Sequence, residues 1–196
     1  MNKCQQPHGV VPYHRVLAIE GCTLYAEATR DWLETVVIGL DLCPFAKREF
    51  VNNRVRIAVA EATSELHLLQ ALESELQLLF GDELIETTLL IHPNVLGDFA
   101  AYNQFLDLAD GLLTQMNLEG VFQIASFHPD YQFADTSPDD AENYTNRSPY
   151  PTLHILREAS LARAIDATPD IDEIPTRNIA KMKLLSAEQL KALFRS

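Results

Sequence analysis

Apolar residues recur along the chain with two different spacings, and each spacing predicts a type of element. Spacings of three and four residues predict helices from about Tyr25 to Gly39, at 63–81, and from about Asp98 to Asn117. Alternating or continuously apolar runs predict strands at 54–61, 84–92, 120–128 and 152–158. Because strands that alternate with helices are typical of parallel crossovers, we expect an α/β fold: a single domain with a mostly parallel four-stranded sheet packed with helices.

The pattern weakens toward both ends and is interrupted once in between. Residues 1–24 lack periodicity and predict an N-terminal arm, whereas 25–167 predict the α/β domain. Residues 168–196 begin with a candidate linker and predict a C-terminal helical appendage. The irregular segment 129–151 is rich in aromatic residues, which normally pack, so it predicts a long ordered loop before the last strand.

Two of the predicted strands end in the same pair of residues, His92-Pro93 and His128-Pro129. Proline cannot donate to a strand ladder, so each proline ends the pairing and holds its histidine at the rim of the sheet. Open α/β sheets bind ligands outside the carboxyl ends of parallel strands, so we expect both histidines near a site there. The alternative is that each histidine only caps its strand through a hydrogen bond to a loop carbonyl.

Cys43 stands directly before Pro44, and proline is well suited to the first position of a helix. We therefore expect a short helix from Pro44 to about Val51 with Cys43 as its N-cap. The positive end of the helix dipole would lower the pKa of the thiol. If this helix folds back along the sheet, Cys43 joins His92 and His128. Alternatively, Cys43 is a small buried hydrophobic residue.

The cysteine and histidine side chains predicted near this edge are suitable ligands for a metal ion. The candidate ligands are Cys43, His92, His128 and, on the last strand, His154. One thiolate with two or three imidazoles is a donor set for zinc or another transition metal such as copper or iron. An open coordination position would make such a centre catalytic.

The same region also holds candidate catalytic residues. These are Cys43 as nucleophile, His128 as base, and Tyr131 and Arg147 in the loop. Arg147 could present its planar fork to a small anionic substrate above the site. Alternatively, it could brace the loop by pairing with Asp135 or Asp139.

The net charge of the chain limits the classes of partner that it can bind. The net charge is −13, and a composition of 47% hydrophobic and 22% charged residues belongs to a globular protein. Such a negative field repels nucleic acid and anionic membranes, so we expect neither as a partner. No apolar segment is long enough to span a bilayer and no signal peptide is evident, which predicts a cytoplasmic protein.

Several separated motifs resemble an uncharacterised bacterial and plant family classed only as a domain of unknown function. They are "GLDLCPFAK", the two His-Pro steps, "FHPDYQFAD" and "NYTNRSPYPTLHILRE", from about Ala26 to Ala167. This resemblance implies no reaction or substrate. "CPFA" is also similar to the active-site run of omega-class glutathione transferases and glutaredoxins, in which a β-strand leads directly into the cysteine.

These observations leave three hypotheses. The first is an enzyme with a metal- or thiol-dependent Cys/His site that acts on a small, possibly anionic molecule. The second is a non-catalytic interaction module, in which the acidic surface and the aromatic loop form the contact and the histidines are structural. The third is thiol redox chemistry at Cys43 alone.

Overall fold

The computed structural model describes residues 20–194, so most of the predicted N-terminal arm lies outside it. Its strands are β1 Val55–Val59, β2 Thr87–Ile91, β3 Phe122–Phe127 and β4 Thr152–Arg157. Its α-helices are α1 Glu20–Trp32, α2 Ala46–Val51, α3 Glu65–Gly81, α4 Phe99–Gln115, α5 Glu158–Asp166, α6 Ile174–Lys183 and α7 Ala187–Ala192. A π-helix, Leu33–Ile38, continues α1, and 3-10 helices cover Ala141–Thr145 and Ile171–Glu173. The predicted α/β class with one four-stranded sheet is confirmed.

The direction of the last strand differs from the prediction. The strand order is β1-β2-β4-β3, with β1 parallel to β2 and β4 antiparallel to both of its neighbours. The prediction of a mostly parallel sheet is therefore wrong, because the sheet is mixed. The loop 129–151 returns to the edge where β3 ends, and the Pro151 carbonyl there accepts from the His92 amide at 3.0 Å. A strand that starts from this edge must run back across the sheet.

Each face of the sheet has its own hydrophobic core. The first core lies against α3 and α4, and the apolar stripe of α3 supplies Leu68, Leu72, Leu76 and Leu79. The second core lies against α1, the π-helix and the C-terminal helices, and includes Trp32, Val36, Met182 and Leu190. In β2, Leu90 enters the first core while Leu89 and Ile91 enter the second, as the two-residue period of a strand requires. This explains why β2 is buried throughout.

The predicted helix from Tyr25 to Gly39 is present, but its last part is a π-helix. The end of the π-helix requires glycine at position 39, because a Cβ atom there would lie 2.2 Å from the carbonyl oxygen of Thr35. Any other residue would push the chain away from the wider π-helical turn. Segments of π-helix within longer helices occur often at functional sites, although here the π-helix contributes Val36 to the second core.

The C-terminal helices are packed onto the sheet. Met182 and Leu190 lie in the second core, and the buried Asn178 donates from Nδ2 to the carbonyl of Leu42 at 2.7 Å. Lys181 donates to the carbonyls of Leu40 and Asp41, each at 2.7 Å. Of the segment predicted as an appendage, 168–196, the part up to residue 194 is described, and it is tied to the turn that precedes Cys43.

Candidate functional site

His92 and His128 lie at the same edge of the sheet, because β2 and β3 both run antiparallel to β4. Both side chains are fully buried. β4 separates their strands, so the two rings meet through Tyr102 of α4 instead of directly. The Tyr102 ring lies 5.7 Å from the His92 ring and 5.1 Å from the His128 ring, between ring centroids. The sequence predicted the shared edge but not the tyrosine between the histidines.

Both ring nitrogens of His128 are hydrogen-bonded to backbone. Nε2 lies 3.2 Å from the carbonyl oxygen of Leu96, and Nδ1 lies 3.0 Å from the amide nitrogen of Asp130. A carbonyl only accepts and an amide only donates, so Nε2 carries the proton and Nδ1 is a bare acceptor. Burial lowers the pKa of His128. The ring is a neutral clamp between the loop after β2 and the loop after β3.

His92 acts in the same way on its own loop. Its Nδ1 donates to the carbonyl of Val95 at 3.0 Å, and its Nε2 is buried without a hydrogen-bond partner among the described residues. Burial lowers the pKa of His92 to about 4, so the ring is neutral near pH 7. Protonation would create a buried donor with no acceptor, which is costly.

Tyr102 fixes the centre of this arrangement. Its hydroxyl donates to the carbonyl of Thr152 at 2.8 Å and accepts from the amide of Phe127 at 3.2 Å. These two bonds join α4 to the first residue of β4 and the last residue of β3. The sequence places Tyr102 only within the helix predicted from about Asp98 to Asn117, because helical spacing identifies a face and not a partner.

The loop between β2 and α4 holds a strained residue. Leu96 has a φ of +58°, a conformation that bulky side chains rarely adopt. Its carbonyl is the acceptor for His128, and its side chain is buried. Such strain persists only where surrounding contacts over-determine it, and the two histidines supply these contacts here. The alternative reading of the His-Pro steps, in which each histidine caps a strand through a loop carbonyl, describes this geometry.

His154 faces the other side of the sheet. Its Nε2 lies 2.7 Å from Oγ1 of Thr87, whose hydroxyl donates to the carbonyl of Ile155 at 2.6 Å. Because that hydroxyl has one hydrogen, His154 donates to it. The ring lies 5.9 Å from Phe127 of the second core, and burial lowers its pKa to about 4.

Cys43 differs from its prediction in two respects. The short helix begins at Ala46 with Phe45 as N-cap, so Cys43 is not the N-cap of that helix. The half-buried thiol does contact the amides of Phe45 and Ala46, but burial outweighs them and raises its pKa. The predicted lowering of the thiol pKa is therefore wrong. The residues that precede this turn form the π-helix, whereas glutathione transferases of the resembled class have a β-strand there.

The predicted metal ligands do not form a cluster. Within residues 20–194, no three His, Cys, Asp or Glu side chains are close enough together to hold a metal ion. His92 and His128 are directed at loop carbonyls, and His154 belongs to the opposite face. The prediction that Cys43, His92, His128 and His154 converge on zinc or another transition metal has no support in this geometry.

Arg147 braces the loop that contains it. Its Nη2 donates to the carbonyl of Pro138 at 2.6 Å and its Nε to the carbonyl of Tyr131 at 3.4 Å. The guanidinium lies 4.1 Å above the ring of Tyr144. Bracing is one of the two alternatives that the sequence left open, but the partners are carbonyls and a ring instead of Asp135 or Asp139. An anion-binding role for Arg147 stays a prediction.

Asn143 organises the same loop and was not predicted to matter. It is fully buried, and its Oδ1 accepts from the amide of Phe133 at 2.9 Å. Its Nδ2 donates to the carbonyl of Ser137 at 2.7 Å. Asparagine is a common loop-forming residue because its side chain satisfies backbone groups. That general tendency was the only sequence signal for it.

Six rings form a continuous series of ring contacts from the interior to the surface, which we call the aromatic ladder: His92, Tyr102, His128, Phe99, Tyr131 and Phe133. From His128 outward, centroid distances are 5.4 Å to Phe99, then 5.2 Å from Phe99 to Tyr131 and 5.0 Å from Tyr131 to Phe133. Phe133 is 36% exposed. The ladder thus connects the buried histidines, through ring contacts, to the surface of the loop.

Residues 24–192 match the model of a family described as "Protein of unknown function". This match confirms the predicted membership in an uncharacterised family and extends beyond the predicted limit at Ala167 into the C-terminal helices. No curated protein and no solved structure gives a significant match. Across residues 20–194, none of the helices has the combination of length and apolar character that crossing a bilayer requires.

Proposed function

The chain belongs to the DUF1415 family of proteins of unknown function, and we propose that it is a cytoplasmic, non-catalytic interaction module. Its contact surface is the outer end of the aromatic ladder, Tyr131 and Phe133, with the acidic loop around it. The hydrogen bonding of His128 carries this proposal. Its two nitrogens hold two loops in place, so the ring has no free nitrogen with which to move a proton.

The catalytic alternative needs groups that are engaged elsewhere. A thiolate at Cys43 is disfavoured because burial raises the pKa of the thiol. The Arg147 guanidinium is held by two carbonyls and the Tyr144 ring inside the loop. Polar groups bonded in this way stabilise a scaffold, and a rigid scaffold is what a binding loop needs.

The outer end of the ladder has the composition of a contact surface. Aromatic residues are enriched where proteins bind one another, since each ring offers a large area at a small entropy cost. Phe133 is 36% exposed and Tyr131 is half-buried, so part of each ring is accessible to a partner. The buried part of the ladder fixes both rings before any partner arrives, which lowers the entropy cost of binding.

Site-specific photo-crosslinking in cells that naturally make the protein tests this proposal. A benzophenone amino acid replaces Phe133 in the full-length chain, and the matched control places it at Leu108, which is 49% exposed on α4. We expect a discrete covalent adduct from position 133 and none from position 108. Discrete adducts from both positions, or from neither, would remove the proposed surface.

A further inference from the structure

We propose that this surface receives an arginine of a basic segment in a partner protein, an inference that rests on the proposed function. The guanidinium would stack on the rings of Tyr131 and Phe133, while carboxylates at the same surface balance its charge. A guanidinium over an aromatic face is attracted by the ring quadrupole. Nearby carboxylates add charge-assisted hydrogen bonds. The partner is therefore identified by the chemistry of one side chain type.

The two rings offer an accessible aromatic surface. They meet edge to face, with centroids 5.0 Å apart and planes at 70°. This orientation directs the rings in different directions, so one edge and one face meet at a corner. Phe99 supports Tyr131 from behind at 5.2 Å. Asn143 holds the backbone of Phe133 in place through its amide. The corner is therefore rigid without a ligand.

Two exposed carboxylates stand next to residues of the ladder in the sequence. Asp98 precedes Phe99 and accepts from the amide of Ala101 through one oxygen at 2.9 Å, and its side chain is exposed. Asp130 precedes Tyr131, and its side chain is also exposed. Both are close enough to the ladder that their negative charges act on His128. Neither forms an ion pair with another described side chain.

The cations near the loop are already engaged by groups of the loop, and Nε of Arg147 donates to the backbone carbonyl of Tyr131 at 3.4 Å. Arg147 is the single basic residue of 129–151, and its guanidinium lies over Tyr144 and against the carbonyl of Pro138. Lys183 of α6 lies 3.4 Å from Glu142, at the 3-10 helix of the loop. With a net charge of −13 for the chain, the corner favours a positively charged partner and repels an anionic one.

The chain itself uses the pairing that we propose. Among the described residues, arginines lie over aromatic rings at three places, with Arg147 4.1 Å from the Tyr144 centroid, Arg30 5.3 Å from Phe50 and Arg157 5.5 Å from Phe122. Arginine suits such sites better than lysine because its planar cation is weakly hydrated and stacks on a ring. The corner of Tyr131 and Phe133 is an aromatic surface that no arginine of the described residues covers.

Fluorescence anisotropy with the purified full-length protein tests the inference. The probe is a labelled synthetic peptide with four arginines separated by glycines, and the control peptide carries citrulline, which keeps the shape and loses the charge. We expect saturable binding of the arginine peptide and at least about tenfold weaker binding of the citrulline peptide. Phe133→Ala and Asp130→Asn should each raise Kd about two- to fivefold.

The matched control is Asp107→Asn, which removes the same charge from α4 about 13 Å along the helix from Asp98. It should leave Kd unchanged within error. Equal binding of the two peptides, or an equal loss in Asp107→Asn and Asp130→Asn, would overturn the inference in favour of nonspecific attraction. If the arginine peptide fails to bind while crosslinking at position 133 gives a discrete adduct, the arginine inference falls and the proposed surface stands.

Discussion

The two ends of the aromatic ladder contain similar rings in different surroundings. At the inner end, the polar atoms of Tyr102 and His128 are all bonded to backbone groups, and the rings are fully buried. At the outer end, Tyr131 and Phe133 are partly exposed beside carboxylates that face solvent. Residue type alone would place the chemistry at the histidines. Burial and hydrogen bonding show instead that the ladder residues accessible to a partner, Tyr131 and Phe133, lie at the outer end.

The largest expected effect is at the inner end. His128→Ala leaves the Leu96 carbonyl and the Asp130 amide without their partner and opens a cavity beside Tyr102. We expect the free energy of unfolding to fall by about 3–5 kcal/mol, measured by urea denaturation at pH 7. His67→Ala, at an exposed position on α3, is the matched control and should change it by less than about 0.5 kcal/mol.

A loss below about 1 kcal/mol in His128→Ala would contradict the clamp role. In that case the burial of His128 would need another explanation, and the catalytic hypothesis would regain its base. The inner end of the ladder could then no longer be assigned a purely structural role in contrast to the binding role of the outer end.

A smaller loss of folding stability is expected when the pH is lowered, because His92 is buried in its neutral form. The pKa of His92 is about 4 in the folded chain and close to 6.5 when unfolded. The unfolded chain therefore binds the proton first, and stability is lost as the pH falls from about 6.5 through about 4. The full contribution is on the order of 3 kcal/mol. Burial is the main cause, and a charge on His128 would lower the pKa of His92 further.

His92→Asn tests this directly, because the asparagine amide can still donate to the Val95 carbonyl but does not titrate. Urea denaturation from pH 4 to 7 should show a flatter dependence of stability on pH in the variant than in the natural chain. Parallel curves would mean that His92 does not contribute to the acid sensitivity.

The sequence correctly predicted that His92 and His128 share one edge of the sheet, although it predicted the wrong direction for β4. Periodicity locates a strand but carries no information on its direction, so the antiparallel course of β4 was missed. The two His-Pro steps still mark the ends of β2 and β3, which run the same way in either arrangement. The insertion of β4 is what separates the histidines and leaves room for Tyr102.

Individual roles were harder to predict than positions. Burial raises the pKa of the Cys43 thiol, and the neighbouring Leu42 accepts a hydrogen bond from Asn178 of α6, 136 positions away in the sequence. The helix-dipole argument considered only the local turn, so it gave the wrong direction for the pKa of the thiol. Asn143 shows the same: its hydrogen bonds to Phe133 and Ser137, which its sequence context does not reveal, make it the central residue of the loop.

The smallest effect on stability is expected at the outer end, and it should increase inward along the ladder. Phe133 contacts one ring of the ladder, whereas Phe99 contacts Tyr102, His128 and Tyr131. Phe133→Ser should lower the free energy of unfolding by less than about 1 kcal/mol, and Phe99→Ser by about 3 kcal/mol.

Urea denaturation of both variants, with Leu108→Ser as the surface control, measures this gradient. If Phe133→Ser costs as much as Phe99→Ser, the outer ring is a packing element and its exposure needs no partner. A cost at Phe133 no larger than at Leu108 would mean that folding does not require the ring there. That result would agree with the proposed contact role of Phe133, which the crosslinking experiment tests.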